Sequence, residues 1–239
     1  MTPSHERAVR RIGHKGADHI APGNTIASFD AAIAHGVDMI EFDVLPEDPT
    51  APATTRLLLA HDYTHAGALT LEEGLAHLTG PRFTGVELDV DLKLPGYERR
   101  VVEALRAHGL IERTLVSTLY MRSLVVLRER EPRLRLGWSV PRVKRDYTTS
   151  KLTLAPAFAW LVQARLRLPR IAAGHIRAGR ADALMAHWRL VTPGLLRALR
   201  DAGGDLYVWT VDDREQIRRL EALGVTGVIT NDPRLFDAG

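Results

Sequence analysis

Short apolar runs alternate along this chain with longer stretches in which apolar positions recur every three or four residues. The runs predict strands at Val9–His14, Val37–Val44, Val86–Lys93, Thr114–Thr118, Leu134–Val140, Ala183–Ala186, Asp205–Val211 and Thr226–Thr230. Between several of them lie segments of helical period. Thr25–Ala34 is one, with Ile26, Phe29, Ala32 and Ile33 on one face; Tyr97–His108, Tyr120–Arg130, Pro193–Ala202 and Arg214–Leu223 are others. Strand–helix alternation of this kind predicts a parallel sheet covered by helices.

Gly36, Gly109, Gly204 and Gly224 each stand between a helical pattern and a strand, where a residue tolerant of positive φ lets a helix stop and turn back. Eight strands in 239 residues fit an α/β fold of the (β/α)8 TIM-barrel type, for which about 250 residues is typical. An open doubly wound sheet ranks second. No linker breaks the pattern, so residues 1–239 are expected to form one domain. Two segments depart from a minimal barrel unit. After the second strand comes a small insertion, in which Pro46, Pro49 and Pro52 interrupt regular structure before the run Leu57–Ala60. The second, Arg142–Arg180, is long, basic and partly apolar and reads as irregular. Within it Leu152–Leu168 reads as an apolar helix start that carries Arg165 and Arg167. Such a stretch is either a barrel helix with a buried face or a segment that docks at a membrane surface.

Composition narrows the function classes. With 45% hydrophobic and 26% charged residues the chain has material for a core, which argues against disorder. There are no cysteines, which excludes disulfides, thiolate nucleophiles and Cys-ligated zinc or iron–sulfur sites. No uncharged apolar run approaches the roughly 20 residues of a bilayer span, and Met1–His14 lacks the apolar core of a secretory signal. A cytoplasmic protein is expected, with peripheral membrane contact through 152–168 as its one route to a bilayer. The net charge is +3 and the sequence pI about 9.4. That balance suits phosphate substrates or anionic lipid, and equally a general solubility effect. No nucleic-acid partner is expected.

In a barrel, side chains at the C-terminal strand ends converge on one mouth. His14 ends the first strand. Glu41 and Asp43 lie near the end of the second and, two residues apart, face the same way. His61 and Asp62 follow Leu57–Ala60. Glu87, Asp89, Asp91 and Lys93 share one parity in the third strand, with Asp91 and Lys93 nearest the mouth. Four charged residues on one face cannot all lie in an apolar core. Convergent carboxylates suit a hard divalent cation, two histidines suit proton transfer near neutral pH, and lysines suit a phosphate. Hydrolysis of a phosphate ester uses all three. The competing explanation makes Glu41 and Asp43 ion-pair partners of Lys93 and Arg11. His5, His19, His35, His65, His77, His108 and His175 read as surface or hydrogen-bonded histidines.

Taken in order, these motifs resemble the glycerophosphodiester phosphodiesterase family. His14-Lys15-Gly16 stands where the family has His-Arg-Gly, and Pro22-Gly23-Asn24-Thr25 where it has Pro-Glu-Asn-Thr. Gly36, Asp38, Glu41, Asp43 and Val44 match Gly-x-Asp-x-x-Glu-x-Asp-Val. His61-Asp62, then Thr70-Leu71 before a helix, and Asp91-Leu92-Lys93 follow in register. Val208–Val211 and Gly224–Pro233 look like the closing strands, so that the resemblance spans residues 11 to 236. It implies a barrel of the phospholipase-C-like phosphodiesterase type that hydrolyses glycerophosphodiesters to sn-glycerol 3-phosphate and an alcohol.

By this resemblance His14 and His61 are the acid/base pair. Glu41, Asp43 and Asp91 would hold Mg²⁺ or Ca²⁺, with Glu87 the rival for the third place. Lys15 and Lys93 would contact the phosphate, and Trp209 would wall the pocket or else serve as a core aromatic at the barrel end. Asn24 would orient the first loop or cap the first helix; Ser117 would have a family role or a packing one. Three departures stand out. Lys15 exchanges an arginine fork for a point charge, Gly23 removes a carboxylate, and Asp91 is one methylene shorter than the family glutamate. The substrate would be a small-molecule or lysolipid phosphodiester. A lysophospholipase D-type lipid phosphodiesterase and a non-catalytic phosphate- or lipid-binding barrel are the alternatives.

Overall fold

The eight predicted strands pair edge to edge, all parallel, and the computed structural model shows the ring closing on itself. It describes residues 9–64, 69–141 and 154–237, with side chains of the last stretch from Trp160 onward. The strands are β1 (Arg10–Gly13), β2 (Met39–Pro46), β3 (Leu57–Leu59), β4 (Glu87–Leu92), β5 (Thr114–Thr118), β6 (Arg135–Val140), β7 (Ala183–His187), β8 (Asp205–Trp209) and β9 (Gly227–Thr230). Their hydrogen-bonded order is β1-β9-β8-β7-β6-β5-β4-β2, and β1 also pairs with β2. That last pairing rules out the open doubly wound sheet, which would leave two free edges. The helices are α1 (Ile26–Ala34), α2 (Leu71–Leu78), α3 (Glu98–Ala107), α4 (Met121–Arg130), α5 (Leu154–Arg177), α6 (Pro193–Asp201) and α7 (Arg214–Leu223).

Strand periodicity sorts the side chains into an inner and an outer set. Ile40, Phe42 and Val44 of β2, with Leu88, Val90 and Leu92 of β4, face outward into the core shared with α1–α4. Leu184, Ala186, Leu206, Val208 and Val228 do the same beneath α5–α7. The opposite parity fills the barrel in layers. Ile12, Met39, Leu115, Met185, Tyr207 and Ile229 form the apolar middle. Below them, at the N-terminal end, Glu87 accepts from Arg10 (2.7 Å) and Arg135 (2.9 Å), and both arginines also donate to the Tyr207 hydroxyl at 2.7 Å. This network plugs the bottom and leaves the top for chemistry.

The insertion after β2 is a short hairpin. Glu47 N donates to Arg56 O (2.8 Å), and Arg100 donates to the carbonyls of Pro52 (3.0 Å) and Thr55 (2.5 Å). β3 runs antiparallel to β2 with Leu59 opposite Val44, which returns the chain to the mouth just before His61.

Two expectations are corrected. Arg142–Arg180 is not irregular throughout: Leu154–Arg177 is one helix of 24 residues, while residues 142–153, and with them the first two of Leu152–Leu168, lie outside the described residues. Helix stops at Gly36, Gly109 and Gly224 have φ of 66°, 68° and 81°, but after α6 the left-handed residue is Gly203 (φ 79°), one before Gly204. Gly204 has a packing reason instead, since a Cβ there would lie 2.9 Å from Ile176. Among the described residues no helix is long and apolar enough to cross a membrane.

Candidate active site

The inner parity of β2 and β4 creates the site. Their parallel register sets Glu41 beside Asp89 and Asp43 beside Asp91, so four carboxylates share the upper interior. Lys93 leaves the top of β4 and turns its ammonium back onto them. Lys93 Nζ lies 2.5 Å from Asp43 Oδ1 and 2.6 Å from Asp91 Oδ2. The ion pair expected of Lys93 is therefore present. Arg11 makes none with Glu41 or Asp43; its backbone N–H donates to Asp38 instead. Glu87 lies in the bottom plug, away from the cluster.

The loop from β1 to α1 supplies the other wall. Lys15 N donates to Glu41 Oε2 (2.8 Å), and Gly16 N to the Glu41 carbonyl (3.1 Å). Lys15 and Asn24 both hold left-handed backbones, φ 49° and 59°, a strain of about 1–3 kcal/mol each that clusters at functional loops. Asn24 uses its conformation to lock Asp43, donating Nδ2–H to Oδ2 and accepting from Asp43 N, both at 3.0 Å. It does not cap α1, a task that falls to Thr25, whose side chain accepts from Ser28 N. The Lys15 ammonium pairs with Asp18 at 3.2 Å, and Asp18 also accepts from Gly23 N at 2.8 Å.

His14 and His61 both adjoin the cluster. His14 Nε2 lies 3.8 Å from Glu41 Oε2, and its Nδ1 is 2.5 Å from Asn231 Oδ1. His61 Nδ1 lies 3.3 Å from Asp43 Oδ2 with its side chain half exposed at the rim. Trp209, at the end of β8, packs on the inner apolar layer and meets His187 edge-on at 5.4 Å.

Charge balance here is uneven. Burial raises Glu41 well above the carboxylate range, and the neighbouring Asp43 adds to it. Burial, then the charge of Asp91, pushes Asp89 up to about 8, against the hydrogen bond from Ser117. Burial would raise Asp43 too, but Lys93 and then His61 outweigh it and hold Asp43 below the usual range. Burial also works against the Lys93 charge, yet Asp91, Asp43 and Glu41 lift it above an ordinary lysine. For His14 burial dominates and lowers it, opposed by Asn231 and Asp43.

A divalent cation fits this donor set. Glu41, Asp43 and Asp91 each offer an oxygen, all within 4.8 Å of one another. Asp91 Oδ1 is buried without a hydrogen bond, an acceptor that a hard cation with oxygen ligands would satisfy, whereas Asp43 Oδ1 already faces the Lys93 ammonium.

Several site residues escape sequence reasoning. Asp18, His187 and Asp212 belong to no matched motif, and Asn231 is only one letter of a closing one. Asp89 carries the right parity, but nothing in the pattern sets it at the cluster floor. Among the remaining histidines, His77 bonds Asp30 and His108 bonds Glu72, each at 3.0 Å, and His175 stacks edge-on against Trp138. His5 and His65 lie outside the described residues.

Fold and site together define a (β/α)8 barrel whose polar cluster occupies the C-terminal mouth, the face where barrel enzymes do their chemistry. The model of the glycerophosphoryl diester phosphodiesterase family matches residues 14–45 and 86–235, more than half of the chain, and the chain belongs to that family. The unmatched stretch between them contains His61, whose place at the mouth rests on its contact with Asp43. A glycerophosphodiester phosphodiesterase of Caldanaerobacter subterraneus subsp. tengcongensis is 26% identical over 256 residues, covering 93% of each chain. One from Bacillus altitudinis is 24% identical over 255 residues, covering 93% of this chain and 94% of its own. Among solved structures, an Oleispira antarctica phosphodiesterase in complex with the product sn-glycerol-3-phosphate superposes with TM-score 0.69 at 18% identity, over 94% of both chains. A glycerophosphodiester phosphodiesterase from Parabacteroides distasonis gives 0.71 at 17% identity, over 95% of this chain and 94% of that one. At these identities the solved structures establish the fold.

Proposed function

We propose that the protein hydrolyses glycerophosphodiesters to sn-glycerol 3-phosphate and an alcohol. The observation that carries this reading is the placement of two histidines against one carboxylate cluster, His14 against Glu41 and His61 against Asp43. Glu41, Asp43 and Asp91 would hold Mg²⁺ or Ca²⁺. When bound, such a cation supplies charge stabilisation to the phosphoryl oxygens. Lys93 adds a positive charge within the cluster and Lys15 one at its edge, both suited to a phosphodiester anion. His14, kept neutral by burial, is the base that accepts the proton of the attacking oxygen. His61, at the exposed rim, donates to the leaving alcohol oxygen, so that one P–O bond forms and one breaks while the protons balance. Trp209 and His187 offer an apolar wall for the glycerol or alcohol carbons.

Turnover of glycerophosphocholine, followed by sn-glycerol 3-phosphate release, tests this. Activity should require added Mg²⁺ or Ca²⁺, vanish in EDTA, and fall by about 10²–10⁴-fold in His14→Ala and in His61→Ala. A cation-loaded protein that binds the diester without turnover would leave the non-catalytic barrel as the correct description.

A lipid-directed variant of this reading draws on α5. Between residues 160 and 167 it exposes Trp160, Val162 and Leu166, with Leu166 72% exposed, and interleaves them with Arg165 and Arg167 while the helix contains no acidic residue. Exposed apolar and cationic side chains on one helix suit an anionic bilayer. Sedimentation with phosphatidylglycerol vesicles should show binding that Trp160→Ser/Leu166→Ser abolishes; undiminished binding by the double variant, or none by the parent, would remove this role. Preference for acylated over unacylated diesters separates the lysophospholipase D activity.

A further inference from the structure

His14 does not act alone at the strand ends. Its backbone N–H donates to Thr230 O at 2.8 Å, which anchors the residue where β1 meets β9. Its ring Nδ1 lies 2.5 Å from Asn231 Oδ1. The amide of Asn231 is in turn oriented by Asp212: Nδ2 donates to Asp212 Oδ2 at 2.6 Å, and the Asn231 backbone N–H donates to Asp212 Oδ1 at 2.8 Å. Thr230 Oγ1 donates to the same Oδ1 at 3.0 Å. Three donors thus hold one carboxylate at the edge of the mouth.

The chemistry of these groups leaves one arrangement. An ionised carboxylate only accepts, so the NH₂ of Asn231 faces Asp212 and its oxygen faces His14. A carbonyl oxygen also only accepts, so His14 Nδ1 carries a proton. In the neutral ring Nε2 is then the lone-pair nitrogen, and Nε2 is the atom on the Glu41 side of the ring. When Nε2 takes a proton, the Nδ1–H bond to Asn231 remains and steadies the imidazolium. This is the logic by which a base is oriented by a third group, with an amide and a carboxylate in series in place of one carboxylate.

We infer that Asn231 and Asp212 are positioning residues that select the Nδ1–H tautomer of His14 and aim Nε2 into the site. The inference rests on the assignment of His14 as the base in the proposed function. Asn231 touches His14 and not the carboxylate cluster, and Asp212 is one step further out. Outer partners of a functional histidine typically matter by about 10–100-fold.

Two measurements test it. The first is the ring ¹⁵N spectrum of His14 in the full-length protein, assigned by its loss in His14→Gln. The neutral parent should show a protonated Nδ1 and an unprotonated Nε2; a protonated Nε2 would overturn the inference, even if no variant folds. The second is steady-state turnover of glycerophosphocholine. Asn231→Ala and Asp212→Ala should lower kcat by about 10–100-fold with KM little changed, and both should shift the ring toward a mixture of tautomers. Folded variants with parental kcat would overturn the inference provided His14→Ala is inactive. If His14→Ala keeps its activity, the assignment of the base has failed, and the ¹⁵N spectrum still decides the tautomer.

Discussion

Lys93→Met removes the cation from the middle of four carboxylates while keeping most of the side-chain volume. Lys93 pairs with Asp43 and Asp91 at 2.5 and 2.6 Å, and Asp43 is fully buried whereas Lys93 is 20% exposed. Removing one partner of a buried pair costs about 3–5 kcal/mol, and the partial exposure favours the lower end. For a chain of this size each kcal/mol moves Tm by about 2–4 °C, so the cation-free variant should melt about 6–12 °C below the parent. The sign of the pH dependence follows from Asp43, whose pKa Lys93 holds below its ordinary value against the effect of burial. Such a group stabilises the fold above its unfolded value of about 4 and loses that contribution as pH falls toward its lower folded value. The gap in Tm between parent and variant should therefore be widest near neutral pH and shrink below about 4. Thermal unfolding in EDTA followed by circular dichroism measures it, and added Mg²⁺ or Ca²⁺ should return part of the loss. An unchanged Tm near neutral pH, or a gap that widens on acidification, would refute the role given to Lys93.

Asp89 carries the opposite sign. Its carboxyl is pushed up to about 8, chiefly by burial, so its favourable contribution is complete below about 4 and is lost as pH rises through the folded value. Asp89→Asn should flatten the decline of cation-free Tm over that window and stabilise the protein above it by about 1–3 kcal/mol; equal slopes for parent and variant would contradict this. Gly23→Ala places a Cβ 2.5 Å from Asp18 Oδ1 and 2.8 Å from Lys15 Cβ. Overpacking of this kind costs about 1–3 kcal/mol, which urea unfolding should show, together with a raised KM as Asp18 and Lys15 are forced apart.

Much of this architecture is legible in the sequence because two periods carry it. A spacing of two along β2 and β4 puts Glu41, Asp43, Asp89 and Asp91 on one face, and the barrel turns that face inward. Helical period locates α1, α3, α4, α6 and α7 to within a residue or two, with a glycine stop expected after each of them except α4. What stays illegible depends on contacts that spacing does not report. His14 and Asn231 are 217 positions apart and meet only because β1 closes on β9. Asp18 is recognisable as a site residue only once Gly23, with no Cβ, lets its carboxylate reach Lys15 and the loop backbone. Glu87 and Asp91 share parity and chemistry, and only their heights in the barrel separate a bottom plug from a mouth ligand. In α5, Leu168, Ala172 and Ala173 are buried while Trp160, Val162, Leu166 and Ile171 among them are exposed, a mixture that blurs the single apolar stripe by which a helix is read.

Reconstitution of cation-stripped protein tests the central claim most directly, with calorimetric binding and glycerophosphocholine turnover measured on the same samples. The account predicts that turnover rises in step with cation occupancy at the carboxylate cluster and that Asp43→Asn loses both together. Full turnover in stripped protein, or cation binding undiminished in Asp43→Asn, would contradict it.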